Sequence, residues 1–151
     1  MILGAHMSIA KGFTEAARKT AQELGCNAMQ FFTKSPRGGV TKPIQPNEAE
    51  EFQKICLENK IVYVVAHSSY LLNFAKPHSQ IQWAYRDIMT DFERVNILGG
   101  HGIVVHIGKS LEADREKSIH HVIENAKKVI EATQKNCAGL QYILENTAGQ
   151  G

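Results

Sequence analysis

The stretch GIVVHIGKSLEADREKSIHHVIENAKKVIEATQKNCAGLQYILE, residues 102–145, holds one full turn of the pattern on which the fold depends. Gly102 to Val105 and Leu140 to Leu144 are short and rich in branched aliphatic residues, as strands are. Between them Ile119, Val122, Ile123, Ala126, Val129 and Ile130 recur at helical spacing with charged residues interposed, which is the period of an amphipathic helix. Strand, covering helix and second strand make a βα unit of a parallel sheet.

The same pattern extends toward the N-terminus. Ile61 to Ala66, Asn27 to Phe32 and Ile2 to His6 read as further strands. A first helix carries Phe13, Ala16, Ala17, Thr20, Ala21 and Leu24 on one face and stops at Gly25. A second begins near Asn47, a good N-cap residue with Glu50 and Glu51 in the first turn, and turns Phe52, Ile55 and Cys56 inward. A third presents Ile81, Tyr85, Ile88, Phe92 and Val95 and closes at Gly99-Gly100. Four βα units and a fifth strand form the first part of either a (β/α)₈ barrel or an open doubly wound sheet, and periodicity alone does not choose. The sequence ends at Asn146-Thr-Ala-Gly-Gln-Gly151 with no helix after the fifth strand. Since a closed barrel takes about 250 residues, residues 1–151 are expected to be a truncated barrel domain.

Composition narrows the class. Hydrophobic residues make up 43% of 151 residues, enough for one sizeable core. Seventeen basic residues against 15 acidic give a net charge of +2, so any nucleic-acid contact must be local. Cys26, Cys56 and Cys137 are far apart and lack CxxC spacing, which argues against a disulfide framework or cysteine-rich zinc module. No apolar run approaches the roughly 20 residues that span a bilayer, and the N-terminus lacks a secretory pattern. The expectation is an intracellular protein, cytoplasmic or nuclear, without a membrane partner.

Chemistry concentrates at the strand ends. His67 ends the third strand, His106 the fourth and Glu145 the fifth, at equal intervals of 39 residues. In parallel α/β folds the C-terminal strand ends carry the active site. Two imidazoles and a carboxylate from one level of three neighbouring units suit Zn²⁺, with a fourth position left for water or substrate. A hydrogen-bonded structural histidine is the ordinary alternative at any single site. His6 ends the first strand and is a candidate cavity residue with the same alternative. His78, His101, His120 and His121 fall in loops or on a helix face, where solvation explains them.

Two loops have the chemistry to hold DNA. Lys34 and Arg37 lie in a Pro- and Gly-containing loop after the second strand, suited to phosphate contact. After the third strand, Tyr70, Leu71, Leu72 and Phe74 place large apolar groups in a loop, where they serve either as wedges that open base stacks or as packing on the rim.

GAHMS (4–8), FFTKSPR (31–37), HSSYLLN (67–73) and ILENTAGQG (143–151) together resemble endonuclease IV, the second family of apurinic/apyrimidinic (AP) endonucleases, in the family's order along the whole chain. The resemblance implies the N-terminal half of a (β/α)₈ barrel with three zinc ions in its complete form. It implies base excision repair: hydrolysis of the phosphodiester 5′ to an abasic site in double-stranded DNA, leaving a 3′-hydroxyl. By motif position His67 and His106 would bind one zinc, and Glu145 would be the catalytic carboxylate bridging it to a second. Arg37, Tyr70 and Leu71 match positions that enter DNA in the family. HIGKSL after His106 departs from the family's proline and second histidine, and Lys109 is a candidate for phosphate contact in their place. The family's remaining ligands belong to its second half, so at most one complete zinc site is expected here, with little nuclease activity from the chain alone. Open first and fifth strands would also invite self-association.

Two alternatives remain at this stage. Sugar isomerases and epimerases of xylose isomerase-like barrels also hold metals at strand ends, but have no evident use for Arg37 with Tyr70-Leu71. A non-catalytic half-barrel that binds zinc or DNA is the other.

Overall fold

The computed structural model describes residues 1–37, 41–110 and 114–146. Gly38 and Gly39 of the Arg37 loop, and residues 147–151 of the ENTAGQG stretch, lie outside the described residues. The elements are β1 (Gly4–His6), α1 (Phe13–Gln22), β2 (Ala28–Phe31), α2 (Pro46–Glu58) and β3 (Tyr63–His67), then a short 3₁₀ turn (His78–Gln80), α3 (Gln82–Ile97), β4 (Gly102–His106), α4 (Arg115–Thr133) and β5 (Gln141–Glu145).

The five strands are all parallel and lie in the order β1-β2-β3-β4-β5. A doubly wound sheet reverses its strand order at a switch point, and this sheet never does. Alternate strand residues Met29, Phe31, Val64, Ala66, Ile103 and Val105 share one buried core with Phe13, Phe52, Phe92 and Val129 from the four helices. That alternation puts the helices on one face and leaves Val65, His67, Val104 and His106 on the other. Sequential parallel strands with helices on one face only are the wall of a TIM barrel, about half of its circumference. Among the described residues β1 pairs only with β2, and β5 only with β4.

Local departures from the sequence expectation have clear causes. The first helix ends before Leu24, which is exposed. The second starts one residue before Asn47, with Pro46 in its first turn, Gln45 at the cap and Glu48 as its first-turn acid; proline's fixed φ is pre-organised for the first helical position, where its missing N–H costs nothing. The largest departure is α4. Its inner residues are Ser118, Asn125, Val129 and Thr133, while Ile119 and Ile123 are each 48% exposed. Asn125 explains the rotation: its Nδ2 donates to the carbonyls of Phe74 and Lys76, both at 2.9 Å. Carbonyls buried beneath a helix need a donor, so a polar residue claims the inner face and the isoleucine stripe turns outward.

Candidate metal centre and its rim

The ends of β3, β4 and β5 bring together the three side chains expected from the strand spacing. His106 is directly opposite Glu145, but His67 is opposite Val104. The expectation of one level for all three is therefore corrected: His67 sits two residues out of register. The stagger is the shear a barrel needs to close. Because it is an even number, it keeps all three side chains on the face opposite the helices.

The donor atoms of His67, His106 and Glu145 lie within 4.8 Å of one another. Glu145 Oε2 is 2.8 Å from His67 Nε2 and 3.3 Å from His106 Nε2. Edges of about 3.3 Å are what ligands about 2.0 Å from a tetrahedral Zn²⁺ would show. His67 is buried, and its Nδ1 is 2.7 Å from the carbonyl of Ser68. A carbonyl only accepts, so Nδ1 carries the proton. Nε2 is left facing the Glu145 carboxylate, and an ion bound between the two would take the Nε2 lone pair. The donor set therefore fits a zinc-class ion.

Aromatic rings frame this centre. His67 meets His106 edge-on at 4.9 Å between centroids and Phe32 at 5.4 Å. His6 stacks at a tilt on Phe32 at 4.8 Å, and its Nδ1 is 2.9 Å from Gln30 Oε1. His6 faces the same side as His67, with 6.4 Å between their rings, but is outside the three-ligand cluster. With Met7, Phe32 and Pro36 it lines a cleft of about 510 Å³ beside the ligands.

The loops sort differently from the sequence expectation. Tyr70 and Leu71 are exposed, while Leu72 and Phe74 are buried in the core. The packing reading thus holds for Leu72 and Phe74, while Tyr70 and Leu71 are left exposed on the rim. Arg37 is exposed. Lys34 is not available in the same way: its side chain is only 10% exposed, and its Nζ lies 2.5 Å from Asp91 and 3.4 Å from Asp87. The expectation that Lys34 contacts phosphate is corrected, because two carboxylates already neutralise its charge. Thr33 also donates to Asp91, and Arg94 donates to the Thr33 carbonyl, so this network bolts the loop to α3. Burial outweighs the pull of Lys34 and holds the Asp91 carboxyl above its ordinary range.

Sequence reasoning missed Phe32, Ser69, Asn73 and Asp91. Asp91 left a trace, since it interrupts the apolar face of α3 between Ile88 and Val95 at helical spacing. Phe32 shares strand parity with Gln30, next to His6, but its ring contacts needed the fold.

A one-directional parallel sheet with helices on one face defines part of a TIM barrel, and its C-terminal strand ends carry a candidate metal site. The chain belongs to the xylose isomerase-like TIM barrel family, which it matches over residues 18–151. It is 36% identical over 152 residues to "Probable endonuclease 4" of Symbiobacterium thermophilum, covering 100% of this chain and 53% of the relative. The protein of the same name from Cenarchaeum symbiosum is also 36% identical, with 99% and 53% covered. The crystal structure of endonuclease IV from Thermus thermophilus superposes with a TM-score of 0.76 at 29% identity, over 99% of this chain and 52% of that one. D-psicose 3-epimerase from Clostridium cellulolyticum shares the fold, with a TM-score of 0.68 at 16% identity over 95% and 52%. The chain thus spans about half the length of the relatives it matches.

Proposed function

We propose that this chain forms one half of a zinc-dependent AP endonuclease barrel, which cuts double-stranded DNA 5′ to an abasic site and leaves a 3′-hydroxyl. The observation that carries the reading is the convergence of His67, His106 and Glu145 below a rim bearing exposed Arg37, Tyr70 and Leu71. Endonuclease 4 relatives along the whole chain support it.

Each residue has a defined task. His67 and His106 would hold the ion through Nε2, and the Ser68 carbonyl favours the His67 tautomer able to do so. Glu145 would be the catalytic carboxylate, with Oε2 facing both histidines. When bound, Zn²⁺ supplies Lewis-acid chemistry, drawing charge from a phosphate oxygen and making water acidic enough to attack near neutral pH. Tyr70 and Leu71 enter the stack where the base is missing, the position at which unstacking costs least. Arg37 meets a backbone phosphate. Among the described residues one such group of three ligands stands together, where the family resemblance implies three ions in a complete barrel. A sugar isomerase reading shares the ligands but leaves the exposed Tyr70-Leu71 pair without a task.

Cleavage of a duplex containing one tetrahydrofuran abasic analogue tests the reading, with Zn²⁺ and a chelator control. The chain is assayed alone and joined to the second half of the Thermus endonuclease IV. Zinc-dependent cutting 5′ to the lesion by the joined protein, lost on His67→Ala, is the expected result. A joined protein that folds and binds zinc but leaves the lesion strand intact overturns it.

A further inference from the structure

Tyr70 and Leu71 form the exposed tip of a turn whose two flanks are tied to different neighbours. On one flank Ser69 is buried, and its Oγ donates to the Pro36 carbonyl at 2.6 Å while accepting from the Leu71 amide at 3.2 Å. Its carbonyl also accepts from the Leu72 amide at 3.1 Å. On the other flank Asn73 Oδ1 accepts from the amides of Ala75 and Lys109, both at 3.1 Å, and its Nδ2 donates to the Lys109 carbonyl at 2.8 Å. Gly108 makes room for this contact: with φ +97°, a Cβ there would stand 2.7 Å from Asn73 Oδ1.

These bonds join loops from three successive βα units. The Pro36-Arg37 segment is itself anchored to α3 through Lys34, Asp91 and Arg94, so Ser69 ties the turn to a fixed post. The exposed side chains Arg37, Tyr70, Leu71 and Lys109 therefore stand on one cross-linked rim. Such a turn does not have to be ordered when it meets its ligand, and pre-organisation of this type raises affinity without adding a contact.

We propose that Ser69 and Asn73 are positioning residues that brace the Tyr70-Leu71 turn against the Arg37 and Lys109 loops, so that the wedge enters paired abasic DNA already in its working geometry. This inference rests on the DNA-binding reading above. Neither residue needs to touch DNA. The bracing matters where the protein must do the bending and loses its value where the DNA is already kinked.

The test uses the 151-residue chain with Zn²⁺ and three fluorescent duplexes: fully paired without a lesion, fully paired around one tetrahydrofuran, and the same lesion opposite an unpaired bulge that pre-kinks the helix. Ser69→Ala and Asn73→Ala are expected to weaken binding to the paired lesion duplex by about tenfold each, the scale of one lost buried hydrogen bond. Binding to the bulged lesion should change less than about twofold, and Ser69→Thr, which keeps the hydroxyl, should restore paired-lesion affinity. Unfolding midpoints are recorded beside each variant. Equal losses on both lesion duplexes would show a merely structural role and overturn the proposal, as would wild-type affinity of both alanine variants for the paired lesion. If neither the wild-type chain nor the joined protein prefers the lesion over the intact duplex, the DNA reading itself falls and takes the proposal with it.

Discussion

Glu145 Oε2 stands 2.8 Å from His67 Nε2, although the two residues are 78 positions apart and their strands are separated by β4. The contact spans two strands because Glu145 leans back across His106, its register partner. Two imidazole nitrogens and a carboxylate oxygen meeting at one point are a donor set of the kind that holds Zn²⁺.

Substitution at this centre should act on metal binding before anything else. His67→Ala, His106→Ala and Glu145→Gln are each expected to weaken Zn²⁺ binding by more than about tenfold, a floor set by losses seen for groups only supporting metal ligands. Competition against a chromophoric chelator measures this. Zn²⁺ at about 100 times its dissociation constant should stabilise the wild-type chain by about 2.7 kcal/mol. The chelator should reverse the gain, and zinc affinity unchanged by all three substitutions would remove the proposed site.

The rim should separate stability from recognition. Tyr70→Ala and Leu71→Ala change exposed side chains and are expected to alter folding stability by less than about 0.5 kcal/mol, while lowering the preference for lesion-containing DNA. Phe74→Ala, three residues further along and fully buried, should cost about 3–5 kcal/mol. Urea unfolding beside lesion-duplex binding distinguishes the two, and a large stability loss at Leu71 would show that it packs in the core.

Asp91 supports the Arg37 loop from within the protein. Asp91→Ala removes the closest partner of buried Lys34 and leaves Thr33 without its acceptor. Breaking one side of a buried pair costs about 3–5 kcal/mol. The proximity of Asp87 to Lys34 should keep the loss toward the lower end. Lys34→Met should cost more than Asp91→Ala, because Asp87 and Asp91 then lose the ammonium that lies between them. If both variants unfold at the wild-type urea concentration, the network is not what holds this loop.

Cys56 has a pH signature. Burial pushes its thiol from the ordinary 9.0 up to about 11. The folded state therefore holds a proton that the unfolded state releases, so the thiol's contribution is fully present below about pH 9 and is lost as pH rises toward 11. Iodoacetamide should modify Cys56 slowly in the native protein near neutral pH and rapidly in urea, as read by peptide mass. Equal rates in both states would mean that the thiol is accessible.

Much of this architecture was legible in the residues because it rests on local rules. Alternation and helical period mark five strands and four helices, and equal 39-residue spacing puts His67, His106 and Glu145 at successive strand ends. The motifs HSSYLLN and ILENTAGQG carry the family resemblance without any knowledge of contacts. Other features depend on which segments meet. Strand order, which separates a barrel wall from a doubly wound sheet, is a property of pairing between segments that periodicity does not encode. The two-residue stagger of His67 comes from the shear of the sheet. Lys34 reads as a loop cation until Asp87 and Asp91, more than fifty residues away, neutralise it. The outward isoleucines of α4 follow from the demand of two buried carbonyls for Asn125. Residue type and spacing by themselves determined which chemistry is present and on which elements it lies; tertiary structure alone decided which charges remain free and which donors share one point, because Coulomb and hydrogen-bond energies depend on distances that only long-range packing sets.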